Sequence, residues 1–342
     1  MALMDTRPAA PGSLPLPPKV RAHTWRGYHC ESRLVRTTAP ELPPLLVIGG
    51  AFQSKESWGR LEREALRRMD VVTVDPPGWG AGSVLPPHHG ADLLADAICH
   101  MLSEIGIDRV NIAGGSYGTA LAYRIAQTHP ERVGRMVLCG TMTSIPVHAR
   151  AGIRSALDHL RAGRAEEFTE ETLAILMNGE QQDQVVTGAR VRRFLRRRLS
   201  GLSATEREQA LTNTERLLAH DTLDLTQPPA APTLAVTGEH DTFTPPERCR
   251  QLAGTCLDGH FAVVAGADHM LLLERPVEMA DLTTRFLAGE ALDGLDYLKH
   301  VERVRTPEAD GGAGPARHPV HQRGPFGGAL PQANEAPAPA RR

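Results

Sequence analysis

The sequence lacks the cysteine patterns that mark a disulfide framework or a metal site. Its five cysteines are odd in number and widely spaced, and no two form a C-x-x-C pair; they are Cys30, Cys99, Cys139, Cys249 and Cys256. Reduced thiols in a cytoplasmic protein are the natural interpretation. No cluster of metal-ligand residues stands out either, and the sequence predicts neither a metal nor another cofactor.

The chain of 342 residues also lacks an excess of one charge and any long apolar run. Its formal net charge is −2, which gives no reason to expect nucleic acid or a membrane as a partner. No segment approaches the length of a transmembrane helix. The first 20 residues contain five prolines and no continuous apolar core, so we do not expect a signal peptide.

Lysine is scarce. Only three of the 38 basic residues are lysine, namely Lys19, Lys55 and Lys299. Together with abundant Ala, Gly and Pro, this is typical of a bacterial gene rich in G and C. Clusters of arginine are therefore weak functional signals in this chain.

Short apolar stretches that are typical of buried strands alternate with helical patterns. The strand candidates are residues 45–50, 70–75, 109–114, 135–140, 232–238 and 260–266. Helices are expected at about 57–69, 91–106, 117–128 and 276–288, and an antiparallel strand pair at 21–38 with its turn near Arg26-Gly27. This alternation predicts an α/β fold with a mostly parallel sheet and helices on both faces.

The other segments divide the chain into parts. Residues 1–20 and 300–342 are rich in proline and glycine, and we expect a disordered N-terminal segment and a disordered tail. The two parts of the α/β core are 21–141 and 227–299. Between them, 142–226 shows helical patterns only. There Ser203 and Glu206 form a capping box that predicts a helix through Leu217.

The segment "VNIAGGSYGTALAYRIA" (110–126) places Ser116 between a buried strand and a helix, with glycines two residues before and two after it. A reversal this sharp needs strained backbone at its apex and little side-chain volume around it. The pattern is the G-x-S-x-G nucleophile elbow, which exposes the serine hydroxyl at the carboxyl end of a sheet. The alternative is a glycine-rich turn that binds phosphate or only packs.

A nucleophilic serine needs a base and an acid, which follow it along the chain in the order acid, then histidine. Asp241 lies just beyond the strand at 233–237, and Glu239 in the same loop is the second candidate. An Asx turn is the structural alternative for Asp241. His269 follows the next strand and is the candidate base, whereas His240 adjoins the acid and His260 begins a strand.

Two further assignments complete the predicted site. The oxyanion hole is expected from the backbone N–H of Tyr117, directly after the serine, and of Ala51, in the loop after "LLVIGG". Asp268 could compete for His269, but adjacent residues rarely direct their side chains at each other. We interpret Asp75, Gly78 and Gly80 as structural parts of another loop at a strand end.

In these motifs the sequence resembles the α/β-hydrolase family over about residues 25–290. The resemblance rests on "GGAFQSKESW", "DPPGWGAGS", "GGSYG", "GEHD" and "DHMLLLERP", in that order. It implies an α/β-hydrolase fold in which the insertion at 142–226 forms a helical cap over the active site. Many members have His-Gly where this chain has Gly49-Gly50. Members with an aspartate nucleophile are disfavoured by the serine.

The resemblance implies a serine hydrolase that cleaves a small-molecule carboxylic ester or thioester through Ser116, Asp241 and His269. The alternatives are an acyltransferase that uses the same covalent step and a noncatalytic binding protein of the same fold. The cap region is distantly similar to bacterial 3-hydroxyacyl carrier-protein transacylases. Its segment "ARVRRFLRRRLSGL" (189–202) carries Arg192, Arg193, Arg196 and Arg197 on one face. This face is either a solvated surface or a docking site for coenzyme A or an acyl carrier protein.

Overall fold

The structure is a computed structural model that describes residues 15–220 and 223–304, except for the side chain of His148. Within these ranges the strands are β1 (Lys19–Trp25), β2 (Tyr28–Val35), β3 (Leu45–Ile48), β4 (Val71–Asp75), β5 (Val110–Gly115), β6 (Val133–Cys139), β7 (Thr233–Gly238), β8 (Gly259–Val264) and β9 (Leu298–Val304). They form one sheet in the order β1-β2-β4-β3-β5-β6-β7-β8-β9. Strands β3 to β8 pair in parallel, while β1, β2 and β9 pair antiparallel at the edges.

The helices of the described residues are α1 (Gly59–Ala65), α2 (Ala91–Glu104), α3 (Tyr117–Thr128), α4 (Val147–Arg161), α5 (Ala165–Leu176), α6 (Gly188–Ser200), α7 (Ala204–Ala219), α8 (Pro246–Ala253), α9 (Leu271–Glu274) and α10 (Pro276–Ala288). None of them is both long and apolar enough to cross a membrane.

Alternate residues of the parallel strands pack against different helix layers. In β3, Leu46 and Ile48 belong to the apolar cluster that includes α2, α3 and α8. Leu45 and Val47 belong to the cluster on the opposite face, which includes α1 and α10. Because successive strand side chains point to opposite faces, a continuous apolar run can fill two cores at once. The predicted fold class is confirmed.

The helices α4, α5, α6 and α7 lie between β6 and β7, in the part of the chain where a cap is expected. They share an apolar cluster of their own, to which Phe168, Leu173 and Leu195 belong. Helix α7 begins at the predicted capping box: the Ser203 side chain accepts from the backbone N–H of Glu206, and the Glu206 side chain accepts from that of Ser203.

Three predicted boundaries differ from the structure. Helix α1 is shorter than the predicted 57–69, and β1 begins at Lys19, inside the segment assigned to a disordered N-terminus. The core does not end at residue 299, since β9 runs to Val304 and pairs with β8. An edge strand has a neighbour on one side only and tolerates charged residues, so composition did not reveal it. Residues 1–14 and 305–342 lie outside the described residues.

Candidate active site

Ser116 lies at the sharp turn between β5 and α3, in a conformation with φ 47° and ψ −117°. A positive φ is costly for a residue with a side chain, and such strain is characteristic of functional turns. The surrounding glycines are required by close packing. A Cβ atom on Gly118 would stand 2.3 Å from the carbonyl oxygen of Ile48, and one on Gly114 would stand 2.9 Å from that of Gly118.

Ser116, His269 and Asp241 form a connected chain of polar contacts. Ser116 Oγ lies 3.1 Å from His269 Nε2, and His269 Nδ1 lies 3.0 Å from Asp241 Oδ2. The carboxylate can only accept, so we assign the Nδ1 proton as its donor, which leaves Nε2 free to accept from the serine hydroxyl. The histidine is 5 % and the aspartate 2 % exposed, so both are shielded from water.

Asp241 has several hydrogen-bond partners besides His269. Its Oδ1 accepts from the backbone N–H groups of Phe243 (2.9 Å) and Thr244 (2.7 Å). Its Oδ2 accepts from the hydroxyls of Thr237 (3.0 Å) and Thr244 (2.5 Å). The Asx turn and the contact to His269 therefore coexist in one residue.

The opposite charges of Asp241 and His269 stabilise each other and shift both pKa values. Burial acts to raise the pKa of Asp241, but the charge and hydrogen bond of His269 and the donors from Thr244 lower it below its usual value. Burial acts to lower the pKa of His269, but Asp241, Asp268 and Glu274 raise it above its usual value. An imidazolium formed at His269 is thus stabilised.

The other sequence candidates lie apart from this chain of contacts. Glu239 is bound by Lys299 and accepts from the backbone N–H of Gly266 at 3.1 Å. His240 Nδ1 contacts Gln181 Oε1 at 2.6 Å, and His260 Nε2 contacts Asp258 Oδ1 at 3.2 Å. None of these side chains touches Ser116 through a hydrogen bond among the described residues.

Asp268 connects the base to the segment between α5 and α6. Its Oδ1 accepts from the backbone N–H of His269 at 2.8 Å, and its Oδ2 accepts from that of Asn178 at 2.5 Å. The Asn178 side chain donates in turn to the carbonyl oxygen of His240 at 3.1 Å. Behind them, Glu274 Oε2 accepts from the Asp268 backbone N–H at 2.6 Å. Burial, with the charge of Asp268, raises the pKa of Glu274 to about 8.

The two expected oxyanion donors lie on the same cavity wall as the serine. Gly50, Ala51, Ser116 and Tyr117 all line one cavity, and Tyr117 is the first residue of α3. Neither the Ala51 nor the Tyr117 backbone N–H donates to another described residue. Free N–H groups at a helix start favour developing negative charge.

The loop that carries Ala51 is fixed on both sides of Gly50. The Gly50 N–H donates to Gln53 Oε1 at 2.7 Å, and its carbonyl oxygen accepts from Trp79 Nε1 at 3.0 Å. Phe52, the next residue after Ala51, also has a positive φ, of 65°. These contacts restrain the loop that carries the backbone N–H of Ala51, the expected oxyanion donor.

Asp75 joins this loop to the glycine-rich loop after β4. Its carboxylate accepts from the backbone N–H groups of Lys55 (2.7 Å) and Ala81 (3.0 Å). A Cβ atom on Gly80 would stand 2.3 Å from that carboxylate, so only glycine fits there. Asp75, Gly78 and Gly80 are structural parts of the loop, as the sequence suggested.

The cavity above Ser116 has a volume of about 230 Å³, and residues of α4, α5, α6 and α7 line much of its wall. Its walls are chiefly apolar and include Leu157, Phe168, Phe194, Leu217 and Leu273. Phe243 packs edge-on against the His269 ring, with 5.1 Å between the centroids. Such a chamber suits an apolar chain attached to the group that reacts at the serine.

Several residues that shape the site were not predicted from the sequence. The side chains of Thr237 and Thr244 donate to Asp241. Asn178 contacts Asp268 and His240, which lie far from it along the chain. Threonine and asparagine are common in loops, so their types carry no signal. The "GEHDTFT" segment does contain a threonine three residues after Asp241, an ordinary spacing for an Asx turn.

A family model described as the alpha/beta hydrolase fold matches residues 43–276. The chain belongs to the α/β-hydrolase fold family. Among solved structures, the fold is similar to MGS-M2, an α/β-hydrolase enzyme from a Medee basin deep-sea metagenome library, with a TM-score of 0.70, 18% identity and coverage of 81% of this chain and 99% of that one. The enol-lactonase from Burkholderia xenovorans matches with a TM-score of 0.66, 18% identity and coverage of 78% and 100%.

Relatives of this α/β-hydrolase carry several different names. A 2-hydroxy-6-oxononadienedioate/2-hydroxy-6-oxononatrienedioate hydrolase of Burkholderia vietnamiensis is 33% identical over 107 residues, which is 30% of this chain and 37% of the relative. The biotin biosynthesis bifunctional protein BioHC of Teredinibacter turnerae is 25% identical over 285 residues, 74% of this chain and 46% of the relative. The chain thus spans less than half the length of these two.

A further relative is the mouse sn-1-specific diacylglycerol lipase ABHD11, 24% identical over 256 residues, 72% of this chain and 81% of the lipase. The hydrolase, lipase and lactonase names among these relatives and structural neighbours agree with the expectation that the chain is an enzyme.

Proposed function

We propose that this chain is a serine hydrolase that cleaves a carboxylic ester or thioester through an acyl-enzyme on Ser116. The observation that carries the proposal is the contact of Ser116 Oγ with His269 Nε2 at 3.1 Å, with Asp241 behind the histidine at 3.0 Å. The apolar cavity above the serine supports an apolar acyl chain as the substrate part that is held during the reaction.

In the proposed first half-reaction, His269 Nε2 takes the proton of Ser116 as Oγ attacks the carbonyl carbon. The oxyanion that forms accepts from the backbone N–H groups of Ala51 and Tyr117. When the tetrahedral intermediate collapses, the bond to the alcohol or thiol breaks and His269 returns the proton to that leaving group. Asp241 stabilises the imidazolium that exists in between.

In the second half-reaction water attacks the acyl carbon and gives a proton to His269. The bond to Ser116 Oγ then breaks as His269 returns the proton to Oγ, which releases the carboxylic acid and the free serine. An alcohol or thiol acceptor at this step would make the chain an acyltransferase instead. One observation favours this second candidate. Phe194 lines the cavity but is 47% exposed, so the cavity wall reaches the surface on α6, next to the exposed Arg193 and Arg197. Coenzyme A or an acyl carrier protein could deliver a thioester there.

Labelling with a fluorophosphonate probe tests the nucleophile. Wild-type protein should be labelled and should hydrolyse p-nitrophenyl esters, whereas Ser116→Ala should lose both, with an unchanged circular dichroism spectrum. Because a triad acts as one unit, Ser116→Ala combined with His269→Ala should be little worse than either alone. Ser200→Ala, at an exposed serine of α6, is the matched control. Undiminished labelling of Ser116→Ala would mean that another residue is the nucleophile, whereas a wild-type protein that is neither labelled nor active would favour a noncatalytic protein.

Product analysis separates hydrolysis from acyl transfer. Acyl-coenzyme A substrates and p-nitrophenyl esters are incubated with and without a hydroxyacyl acceptor, and the products are identified by mass spectrometry. Free acid in both cases indicates a hydrolase. A new ester that forms at the expense of the acid indicates a transferase.

A further inference from the structure

A second cavity, of about 340 Å³, lies beside the apolar cavity. Ala51, Phe52 and Gln53 of the loop after β3 line both cavities, and so do Arg198 and Thr214 of the cap. The loop whose Ala51 N–H is the proposed oxyanion donor therefore borders both cavities.

The second cavity differs from the first in the chemistry of its walls. One wall is formed by the loops after β3 and β4, and the other by the end of α6 and the first turns of α7. Its lining includes apolar side chains such as Trp79 and Leu202, but it also has amide and hydroxyl side chains, which are scarce in the first cavity: Gln53, Ser54, Ser203, Thr205, Gln209 and Asn213. Groups of this kind bind hydroxyl and carbonyl groups by hydrogen bonds.

Each charged side chain in this lining is paired with an opposite charge. Lys55 Nζ lies 2.9 Å from Asp75 Oδ2, and Arg198 Nη2 lies 2.6 Å from Glu206 Oε1. Lys55 also lies 2.9 Å from Glu31 Oε2. The walls thus carry no surplus of positive charge, and nothing in them favours a phosphate or carboxylate over a neutral ligand.

The polar walls are held in place by their own hydrogen bonds. The Gln209 side-chain amide donates to the carbonyl oxygens of Gly80 (3.2 Å) and Gly82 (2.7 Å). The Asn213 amide donates to that of Gly78 at 2.7 Å. A rigid wall loses little entropy when a ligand binds, so it can select among alcohols of similar size.

We propose that this second cavity binds the alcohol part of the ester substrate, and that this part is a neutral group with at least two free hydroxyl groups. The inference rests on the proposed function, since it needs an acyl carbon at Ser116. The acyl chain then occupies the apolar cavity, and the group attached through the ester oxygen occupies the polar one. Glycerol is the simplest alcohol with these properties.

Three esters of one acyl chain test the proposal in the wild-type protein: the 1-monoglyceride, the ethyl ester and the ester of glycerol 3-phosphate, all of octanoic acid. We expect kcat/KM for the monoglyceride to exceed that for the ethyl ester at least tenfold, about 1.4 kcal/mol. We expect the phosphate ester to react more slowly than the monoglyceride, because the cavity has no unpaired positive charge.

A pair of variants then locates the effect. Thr205 lines only the second of these two cavities, whereas Thr212, on the same helix α7, lines neither. Thr205→Trp should lower the ratio of monoglyceride to ethyl ester turnover at least fivefold, and Thr212→Trp should leave that ratio as in wild type. Binding of the non-cleavable 1-octyl glyceryl ether to Ser116→Ala, measured by calorimetry, should weaken with Thr205→Trp in the same way.

The outcomes separate this proposal from the one on which it rests. Suppose that the probe labels Ser116 and the ethyl ester is cleaved, but kcat/KM for the monoglyceride and for the ethyl ester agree within twofold. The cavity then does not bind the alcohol, and the hydrolase proposal stands. Preference for the phosphate ester overturns the claim of a neutral ligand. If Ser116 is not labelled and no ester is cleaved, both proposals fall.

Discussion

At the scale of single residues, Asp241 shows how one carboxylate serves both the loop and the proposed site. Its Oδ1 is saturated by the backbone of Phe243 and Thr244, while its Oδ2 faces His269 Nδ1 at 3.0 Å. The backbone donors fix the carboxylate so that the histidine ring meets it in one orientation. Asp241 thus orients His269, and its charge raises the pKa of the imidazole.

Replacing Asp241 by asparagine should lower kcat for an ester substrate by roughly 10³- to 10⁴-fold, as in other triads. The pH dependence of the remaining activity should also change. A base must be neutral to act, so activity falls as the pH drops through the pKa of His269. Loss of the negative charge lowers that pKa, so the acid limb of the kcat/KM profile should move to lower pH. Glu239→Gln is the control, and a loss confined to that variant would mean that Glu239 is the acid.

Asp268 is a positioning residue in the proposed mechanism, because it touches the backbone of His269 and of Asn178 rather than the reacting atoms. Asp268→Asn keeps the shape but removes a charge that raises the pKa of His269. We expect kcat/KM to fall about tenfold and its acid limb to move to lower pH. Asp108→Asn, at an exposed aspartate, is the control. A lower melting temperature with an unmoved pH profile would indicate a purely structural role.

At the scale of secondary-structure elements, α6 presents two different faces. Val191, Leu195 and Leu199 are buried, in line with the predicted apolar stripe. The arginines on the other face are not equivalent. Arg192 and Arg196 form ion pairs with Glu170, whereas Arg193 and Arg197 are exposed and make no ion pair with another described residue. Arg193 and Arg197 are therefore the arginines of this face that no described carboxylate compensates.

A docking role for this face predicts a specific salt dependence. Exposed charges act over the Debye length, which falls from about 10 Å at 0.1 M salt to about 3 Å at 1 M. If a carrier docks there, raising the salt concentration to 1 M should increase KM for an acyl-carrier-protein thioester about tenfold. The double variant Arg193→Gln/Arg197→Gln should have the same effect at low salt. A neutral p-nitrophenyl ester should respond to neither. Equal responses of both substrates would identify the face as a solvated surface. The double variant Arg192→Gln/Arg196→Gln, at the two arginines that pair with Glu170, is the matched control.

At the scale of the whole molecule, the sheet ends later than the sequence suggested. Strand β9 pairs with β8 from Gly259↔Val304 to Val264↔Leu298, and Val304 belongs to the apolar cluster that includes α2 and α3. The strand therefore closes one edge of the sheet and contributes a buried side chain. The segment beyond it, rich in Pro, Gly, Ala and Arg, has no apolar periodicity.

Two truncations separate these parts of the chain. Removal of everything after residue 304 should leave esterase activity and the melting temperature nearly unchanged. Removal after residue 297 deletes β9 as well, and burial of one valine alone contributes about 1.5–3 kcal/mol. At about 2–4 °C per kcal/mol, the melting temperature should fall by roughly 5 °C or more. A large loss already on truncation after residue 304 would show that the residues beyond it contribute to stability or activity.

Much of the fold and of the candidate site was determined by local sequence. The six parallel strands are apolar on both faces, because each must pack between two helix layers, and this makes them visible in the sequence. Ser116 is marked in the sequence by the glycines around it. A Cβ atom on Gly118 would stand 2.3 Å from the carbonyl oxygen of Ile48, so only a hydrogen atom fits there. Asp241 and His269 follow the ends of neighbouring strands β7 and β8, where parallel strands bring their loops together.

Other features were decided only by the tertiary structure. That Asp241, rather than Glu239, meets His269 depends on which side chain points along the sheet edge, since Glu239 pairs with Lys299 on β9 instead. The bridge from Asp268 to Asn178 and the two cavities that share Ala51 arise where the cap packs on the core. Such contacts join residues far apart in the chain, and one sequence carries no local pattern that records them.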